Sequence, residues 1–491
     1  MKKIFFFLAV LIVSVATVEA QDSKDFMKSF EEFRRGIHQD YNDFRSKCMK
    51  DYIAFLRNAW ADVKGEVPER VPQEQTVPPV VMPIEEIDKP LDDKKIEIEE
   101  VVTPVIETEP RPEPVEPVKE VPVVTPKYVS FSFFGTEARV RFDVSKSIKL
   151  SGVSGEQVAV AFEKIDTKAY DNLLFDCLAL RSELQLSDWA YLIMLNRLSE
   201  TICGGKNNNA VLTMAYLYMM SGYKMRLALK DDRIYLLYAT RHHIYDQTFF
   251  EIDGVRYYGI EELPLNLFVC DAAFPKEKEL SLIIDQNQKL SYVASVQRTV
   301  KSEAYNDIHI SFAINKNLMD FYTTYPTSFI NDNIMTRWAF YANTPLDARL
   351  SKQIYPALRA QLQGLSEPEA VGRLLNLVQT GLEYGYDDEV WGDDRAFFAE
   401  ESLFYPYCDC EDRSILFTRL VRDLLGLKCI LVYYPGHLAS AVCFNQHVAG
   451  DYIELGGKRF VIADATYVNA PVGATMPKMD NSTAKVIMLE N

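Results

Sequence analysis

The chain lacks an excess of basic residues. Its 491 residues carry 70 Asp+Glu against 53 Lys+Arg, a formal net charge of −17. Without a basic face it has little with which to displace the counterions of a nucleic acid or to hold an anionic membrane surface, which argues against both partners. Beyond the first 20 residues it also lacks any apolar run long enough to span a bilayer, which takes about 20 residues. It has no pair of C-x-x-C motifs, which argues against a structural zinc site. It has no recognisable calcium loop either, so no metal is expected. Eight cysteines, Cys48, Cys177, Cys203, Cys270, Cys408, Cys410, Cys429 and Cys443, do not make a disulfide scaffold in a chain of this length. Cys429 and Cys443 are equidistant from Gly436, so a hairpin turning there would set them opposite, as one possible disulfide. What is present suffices for a real core: hydrophobic residues at 48% and charged residues at 25%. Length alone suggests about three units.

Proline and charge are unevenly spread. Of 23 prolines, 13 lie between Pro68 and Pro126, and Glu66–Pro126 carries 16 acidic against 6 basic residues, a net −10. The tract is bounded as 65–126, and from Glu66 on it has no Gly and no aromatic residue. It reads as an extended, self-repelling, disordered spacer of polyproline II character. Before it, Met1–Ala20 has Lys2 and Lys3, a 15-residue apolar run and a small-x-small ending at Val18-Glu19-Ala20. That is the pattern of a secretory signal peptide, and it predicts an exported, periplasmic or extracellular, protein with no membrane span after cleavage. Residues 21–64 read as one long amphipathic helix. Its stripe, including Phe44, Cys48, Tyr52, Phe55, Ala59 and Val63, repeats every 11 residues, or 3.67 per turn. An aromatic stripe over 22–63 needs a covering surface: the body of the chain, a second copy, or a protein partner.

The body, from about Lys127, predicts an α+β fold. A hairpin over Val129–Phe142 turns at Gly135. Helical patterns follow near 155–165, 168–184, 187–202 and 208–221, then strand-like runs over 224–262. The order repeats, with helices at 345–364, 367–383 and about 411–425, then strands to about 467. Units of 127–320 and 321–491 follow from this repetition.

Chemistry concentrates in the second unit. The segment FYPYCDCEDRSILFTRLVRDLLGL sets Cys410 at the start of an amphipathic helix, whose apolar side includes Ile415, Leu416, Leu420, Leu424 and Leu425. A helix N-terminus favours the thiolate, the nucleophilic form. KCILVYY, Pro435-Gly436-His437, LASAVCF and DYIELGGKRFVIAD then put His437 at a strand start and Asp464 at a strand end. Neighbouring strands would bring the two together, facing the helix start. A Cys-His-Asp triad needs that arrangement: the His takes the thiol proton and the Asp orients the imidazole. Glu411 and Asp412 suit the helix terminus, but as anions they oppose the thiolate, so His437 must supply most of the activation.

This order resembles the transglutaminase-like superfamily. The resemblance rests on DCED around Cys410, the helix ending in LLGL, PGH before the His strand and RFVIADATY around Asp464. It covers about 75 residues well and extends loosely back to Leu346. It implies a papain-like core, thiolate attack on an amide and a thioester acyl-enzyme, with a protein or peptide substrate and no metal or organic cofactor. Cys408, Leu438 and Ala465 depart from residues common in the family, where Gly, Trp and Pro are frequent. The triad is intact, and these departures bear on the substrate pocket. The resemblance to bacterial, peptidase-like members favours hydrolysis. A cross-linking transglutaminase and a non-catalytic scaffold are the alternatives.

The segment 206–262 lines up with 410–464 at an offset of 203–204, for example Leu212 with Leu416 and Gly222 with Gly426. Either 127–320 is a degenerate second copy, with Lys206, Arg233 and Glu261 in the triad places, or it is an unrelated α+β domain.

Overall fold

The computed structural model describes residues 44–490, apart from 69, 71–75, 88, 105–109, 116–117, 166 and 393. The signal-peptide pattern and residues 22–43 of the expected helix lie outside them. No helix of the described residues is long and apolar enough to cross a membrane.

Helix α1 covers 44–58 and gives way to strand β1, Trp60–Lys64. The expected helix therefore stops short of Val63, although the period continues. Tertiary pairing wins over pattern here: β1 covers an otherwise open sheet edge, and Trp60 stacks on Phe268 at 5.8 Å. Cys48, Tyr52 and Leu56 of α1 are buried in the body's core, while Phe44 and Phe55, expected on the same stripe, are exposed. Ion pairs from Arg45 to Asp171 and from Arg57 to Glu156 and Glu163 fix the helix on its own chain.

The tract expected to be a free spacer is laid along the body instead. It contributes strands β2 (Val80–Val81), β3 (Lys94–Lys95) and β4 (Glu100–Val102). Its apolar side chains explain the departure: Met82, Ile96 and Val102 are buried. Farther along, Arg111 pairs with Asp188 at 3.0 Å.

Beyond the hairpin Tyr128–Phe133 and Thr136–Arg141, helices lead to α2, Asn208–Met220. Five strands of one sheet follow: β5 (Met225–Lys230), β6 (Arg233–Ala239), β7 (Phe249–Ile252), β8 (Val255–Tyr258) and β9 (Asn266–Cys270). With β1 they form a sheet of order β1-β9-β5-β6-β8-β7. The C-terminal half has α3 (Thr336–Asn343), α4 (Glu367–Gly381) and α5 (Cys410–Leu425). Its strands are β10 (Lys428–Tyr434), β11 (His437–Cys443), β12 (Asp451–Leu455), β13 (Lys458–Ala463), β14 (Tyr467–Val468) and β15 (Lys485–Met488). Here the order is β3-β12-β13-β11-β10-β15-β4. The tract thus closes both edges of this sheet, with β3 parallel to β12 and β4 parallel to β15.

The two sheets share one connectivity. In each, a helix leads into a hairpin with a two-residue turn, a second hairpin adds to it, and a last strand returns beside the first. The architecture is α+β, and one continuous core cluster draws residues from both halves, such as Trp189 and Phe417.

All eight cysteines are free thiols. The possible Cys429–Cys443 pair misses by one residue. Tyr434 pairs with His437 across the Pro435-Gly436 turn, so Cys429 faces Val442 and Cys443 faces Lys428. A slip of one residue sends the two sulfurs to opposite faces.

Candidate active site

The site begins with how α5 starts. Asp409 caps the helix, its carboxylate accepting from the amides of Glu411 (3.1 Å) and Asp412 (3.4 Å). Asp412 returns the bond to the Asp409 amide at 3.2 Å. This reciprocal cap fixes Cys410 as the first helical residue. Ile415, Leu416 and Leu420 bury the inner face of the helix, which packs against β11. The Leu438 amide of β11 donates to the Cys410 sulfur, so the thiol lies against the strand that begins with His437.

His437 begins β11, and Asp464 directly follows β13, the antiparallel neighbour of β11. His437 Nε2 is 2.9 Å from Asp464 Oδ2. Asp464 Oδ1 accepts from the amides of Thr466 (2.9 Å) and Tyr467 (3.2 Å). A carboxylate so held can only accept, so the imidazole proton sits on Nε2 and the lone pair on Nδ1. His437 Nδ1 is buried with no hydrogen-bond partner. It lies in the residue that lines, together with Cys410, a cavity of about 80 Å³. The three expected triad residues are thus brought to one site, and each is only 2% exposed.

The resting electrostatics favour a neutral thiol. Burial pushes the Cys410 thiol well above its ordinary range, and Asp409, Glu411 and Asp464 push the same way, against the Leu438 amide. The helix terminus therefore does not set the balance, and a proton acceptor beside the sulfur is required for attack.

Other parts of the site carry no obvious mark in the sequence. Gln379 of α4 donates from Nε2 to the carbonyls of Asp464 (2.9 Å), Tyr467 (2.7 Å) and Ala470 (3.2 Å), which pins the loop bearing Asp464. Beneath Cys410 lies a group of acids: Asp387, Asp394, Asp409, Glu411 and Asp412. Within it, Asp387, Asp394 and Glu411, and again Asp387, Asp409 and Asp412, bring their oxygens within 4.8 Å of one another. These are the described residues best placed to share a cation. The buried Arg337 of α3 already enters the group, 2.8 Å from Asp394 and 3.9 Å from Glu411. Burial raises Asp387 to about 7 and lifts Asp409, Glu411 and Asp412 well above the usual carboxyl range. Shared protons thus lessen the negative charge facing Cys410. The acid-rich run DDEVWGDD was a visible signal, but its partner Arg337 is 57 residues from Asp394 and gave none.

The same positions in the N-terminal half hold different groups. Asn208, first residue of α2, accepts at Oδ1 from the Ile234 amide at 3.0 Å, as Cys410 does from Leu438. The place of the thiol therefore falls to Asn208, which corrects the sequence alignment that gave it to Lys206. Arg233 and Glu261 stand where His437 and Asp464 do and form an ion pair at 3.3 Å, and Lys206 joins Glu261 at 2.6 Å. None of these positions holds a thiol or an imidazole. No family model, curated protein or solved structure matches the chain.

Proposed function

We propose that the chain is an exported, thiol-dependent amide hydrolase of transglutaminase-like type, acting on a protein or peptide substrate. The observation that carries this reading is the buried Asp464–His437 pair, which leaves Nδ1 unpartnered on a residue that lines one cavity with Cys410. In this reading His437 Nδ1 takes the Cys410 proton, and the thiolate attacks the substrate carbonyl carbon. The C–N bond breaks as His437 returns the proton to the leaving amine, which leaves a thioester on Cys410. Water then attacks the thioester, giving its proton to His437. The carboxylic acid departs and the thiol is restored. Asp464 stabilises the imidazolium that forms in each half. A papain-like core fits the succession of helix, His strand and Asp strand, and the signal-peptide pattern supports export. An amine in place of water would give transfer instead of hydrolysis.

The scaffold alternative draws on a specific observation, the Asn208, Arg233 and Glu261 set in the N-terminal half. It supports a binding role for that half as a degenerate copy, and in the scaffold reading the C-terminal half also binds without turnover. The test is intact mass of the full chain incubated with a pool of peptide amides. A stoichiometric acyl adduct mapped to Cys410, with ammonia or amine released and none in Cys410→Ala, is expected. No adduct with any amide, and no product, contradicts the reading.

A further inference from the structure

The small cavity at Cys410 has a wall that comes from far away in sequence. Thr76 lines it together with Cys410, His437, Trp338 and Tyr433. The next residue, Val77, donates its amide to the Gly436 carbonyl at 2.9 Å, one residue before His437. The chain then runs through Pro78-Pro79, which have no amide proton and favour extension. Val80 and Val81 pair in parallel with Tyr467 and Val468, three and four residues past Asp464. Met82 closes the crossing, its amide donating to the Val468 carbonyl at 2.9 Å. A single extended strand thus passes from the His437 side of the site to the Asp464 side.

Three features distinguish this from an incidental contact. The strand is held by its backbone, by donors and bridges that do not depend on its side chains. Its side chains carry no charge over Thr76–Met82, and one of them, Met82, is buried against Tyr467, Ala470, Ala474 and Met476. Finally, the cavity at Cys410 is small, about 80 Å³, which is about half the ~150 Å³ that holds a benzene in a protein interior.

We infer that Thr76–Met82 is an internal occupant of the substrate groove, holding the place of an extended, uncharged polypeptide segment that places an apolar side chain in the Met82 pocket. Substrate reaches Cys410 by displacing this strand. The inference rests on the reading of Cys410 and His437 as the reacting pair. The arrangement suits a reversible latch. β3 and β4 hold the rest of the tract on the two sheet edges, so Thr76–Met82 can leave the groove without exposing those edges.

The experiment labels the full-length protein with two reagents, iodoacetamide and a biotinylated tetrapeptide chloromethyl ketone, and quantifies Cys410 and Cys429 by peptide mapping. Val77→Pro removes the amide given to Gly436, and Val77→Ala keeps it. Met82→Ala empties the apolar pocket. The expected result is a rise of about threefold or more in the rate at which the peptide reagent labels Cys410 in Val77→Pro and in Met82→Ala, with Val77→Ala near wild type. Cys429, fully buried, reports general unfolding. Equal acceleration of Cys410 and Cys429, or an unchanged Cys410 rate in both variants, overturns the inference. The same ratios are measured in a His437→Ala background. If His437→Ala leaves Cys410 reactivity unaltered, the hydrolase reading fails. The access ratios between strand variants then still decide the occupant independently.

Discussion

His437 Nε2 faces Asp464 Oδ2 at 2.9 Å, and the other oxygen of that carboxylate is already taken by two backbone amides. The carboxylate is therefore fixed in rotation, and its charge is aimed at one ring nitrogen. This relationship decides which nitrogen of His437 is left to serve Cys410.

Asp464→Asn should reverse that choice. The Thr466 and Tyr467 amides would claim the single amide oxygen, and the NH₂ group would face His437. An NH₂ donates, so Nε2 would have to accept and Nδ1 would carry the proton. Reactivity of Cys410 should fall by about 100-fold or more with little change in thermal midpoint. Unchanged alkylation kinetics in this variant would show that Asp464 does not set the tautomer.

How much of this was legible in the sequence follows from the range of the forces involved. The helices expected at 187–202 and 208–221 are found at Asp188–Cys203 and Asn208–Met220, because local caps at Ser187 and Asn207 reinforce the apolar period. The hairpin at Gly135 is equally local: Phe134 and Gly135 both take positive φ in its two-residue turn. Cys410, His437 and Asp464 were legible because one helix and two neighbouring hairpins hold them within 55 residues. The course of 76–102 was not, since the strands that receive it lie more than 350 residues on and its composition matches a solvated spacer. Likewise, nothing near Arg337 foretells a buried guanidinium among acids. The possible Cys429–Cys443 pair missed on a single-residue register.

Arg337 is a buried cation among the acids under Cys410, paired with Asp394 and Glu411. Arg337→Met keeps most of the volume and removes the charge. Loss of one partner from a buried pair costs about 3–5 kcal/mol. The variant should unfold at lower denaturant than wild type near pH 7 and recover part of the difference at pH 5, where Asp387 and Glu411, both lifted by burial, hold protons. Equal stability at both pH values would show that the guanidinium is dispensable.

Glu400 gives a separate pH signature. Burial raises its carboxyl to about 8, and Asp347 and Glu401 add to this, while backbone amides, including that of Asp347, oppose it. Its pKa is thus higher in the folded chain than in the unfolded one, near 4.3. Between those values the unfolded state loses the proton and the folded state keeps it. This contribution is present in full below about pH 4 and is lost as pH rises through about 8. Glu400→Gln, which retains an acceptor for the Asp347 amide, should flatten the decline in stability between pH 5 and 8 by a few kcal/mol. Denaturant titrations of both proteins at pH 5, 6.5 and 8 check it. Parallel curves would refute the assignment.

The measurement that bears most directly on the account is the rate of Cys410 alkylation by iodoacetamide from pH 5 to 9 in the full-length protein and in His437→Ala. Burial and three carboxyl groups hold the thiol neutral, so thiolate at pH 6–7 must come from transfer to His437. The account predicts that at pH 6–7 the wild-type thiol reacts at least about tenfold faster than in His437→Ala. The two should converge only at high pH, where hydroxide removes the proton. Identical rates across the whole range would contradict a nucleophile–base pair at Cys410 and His437.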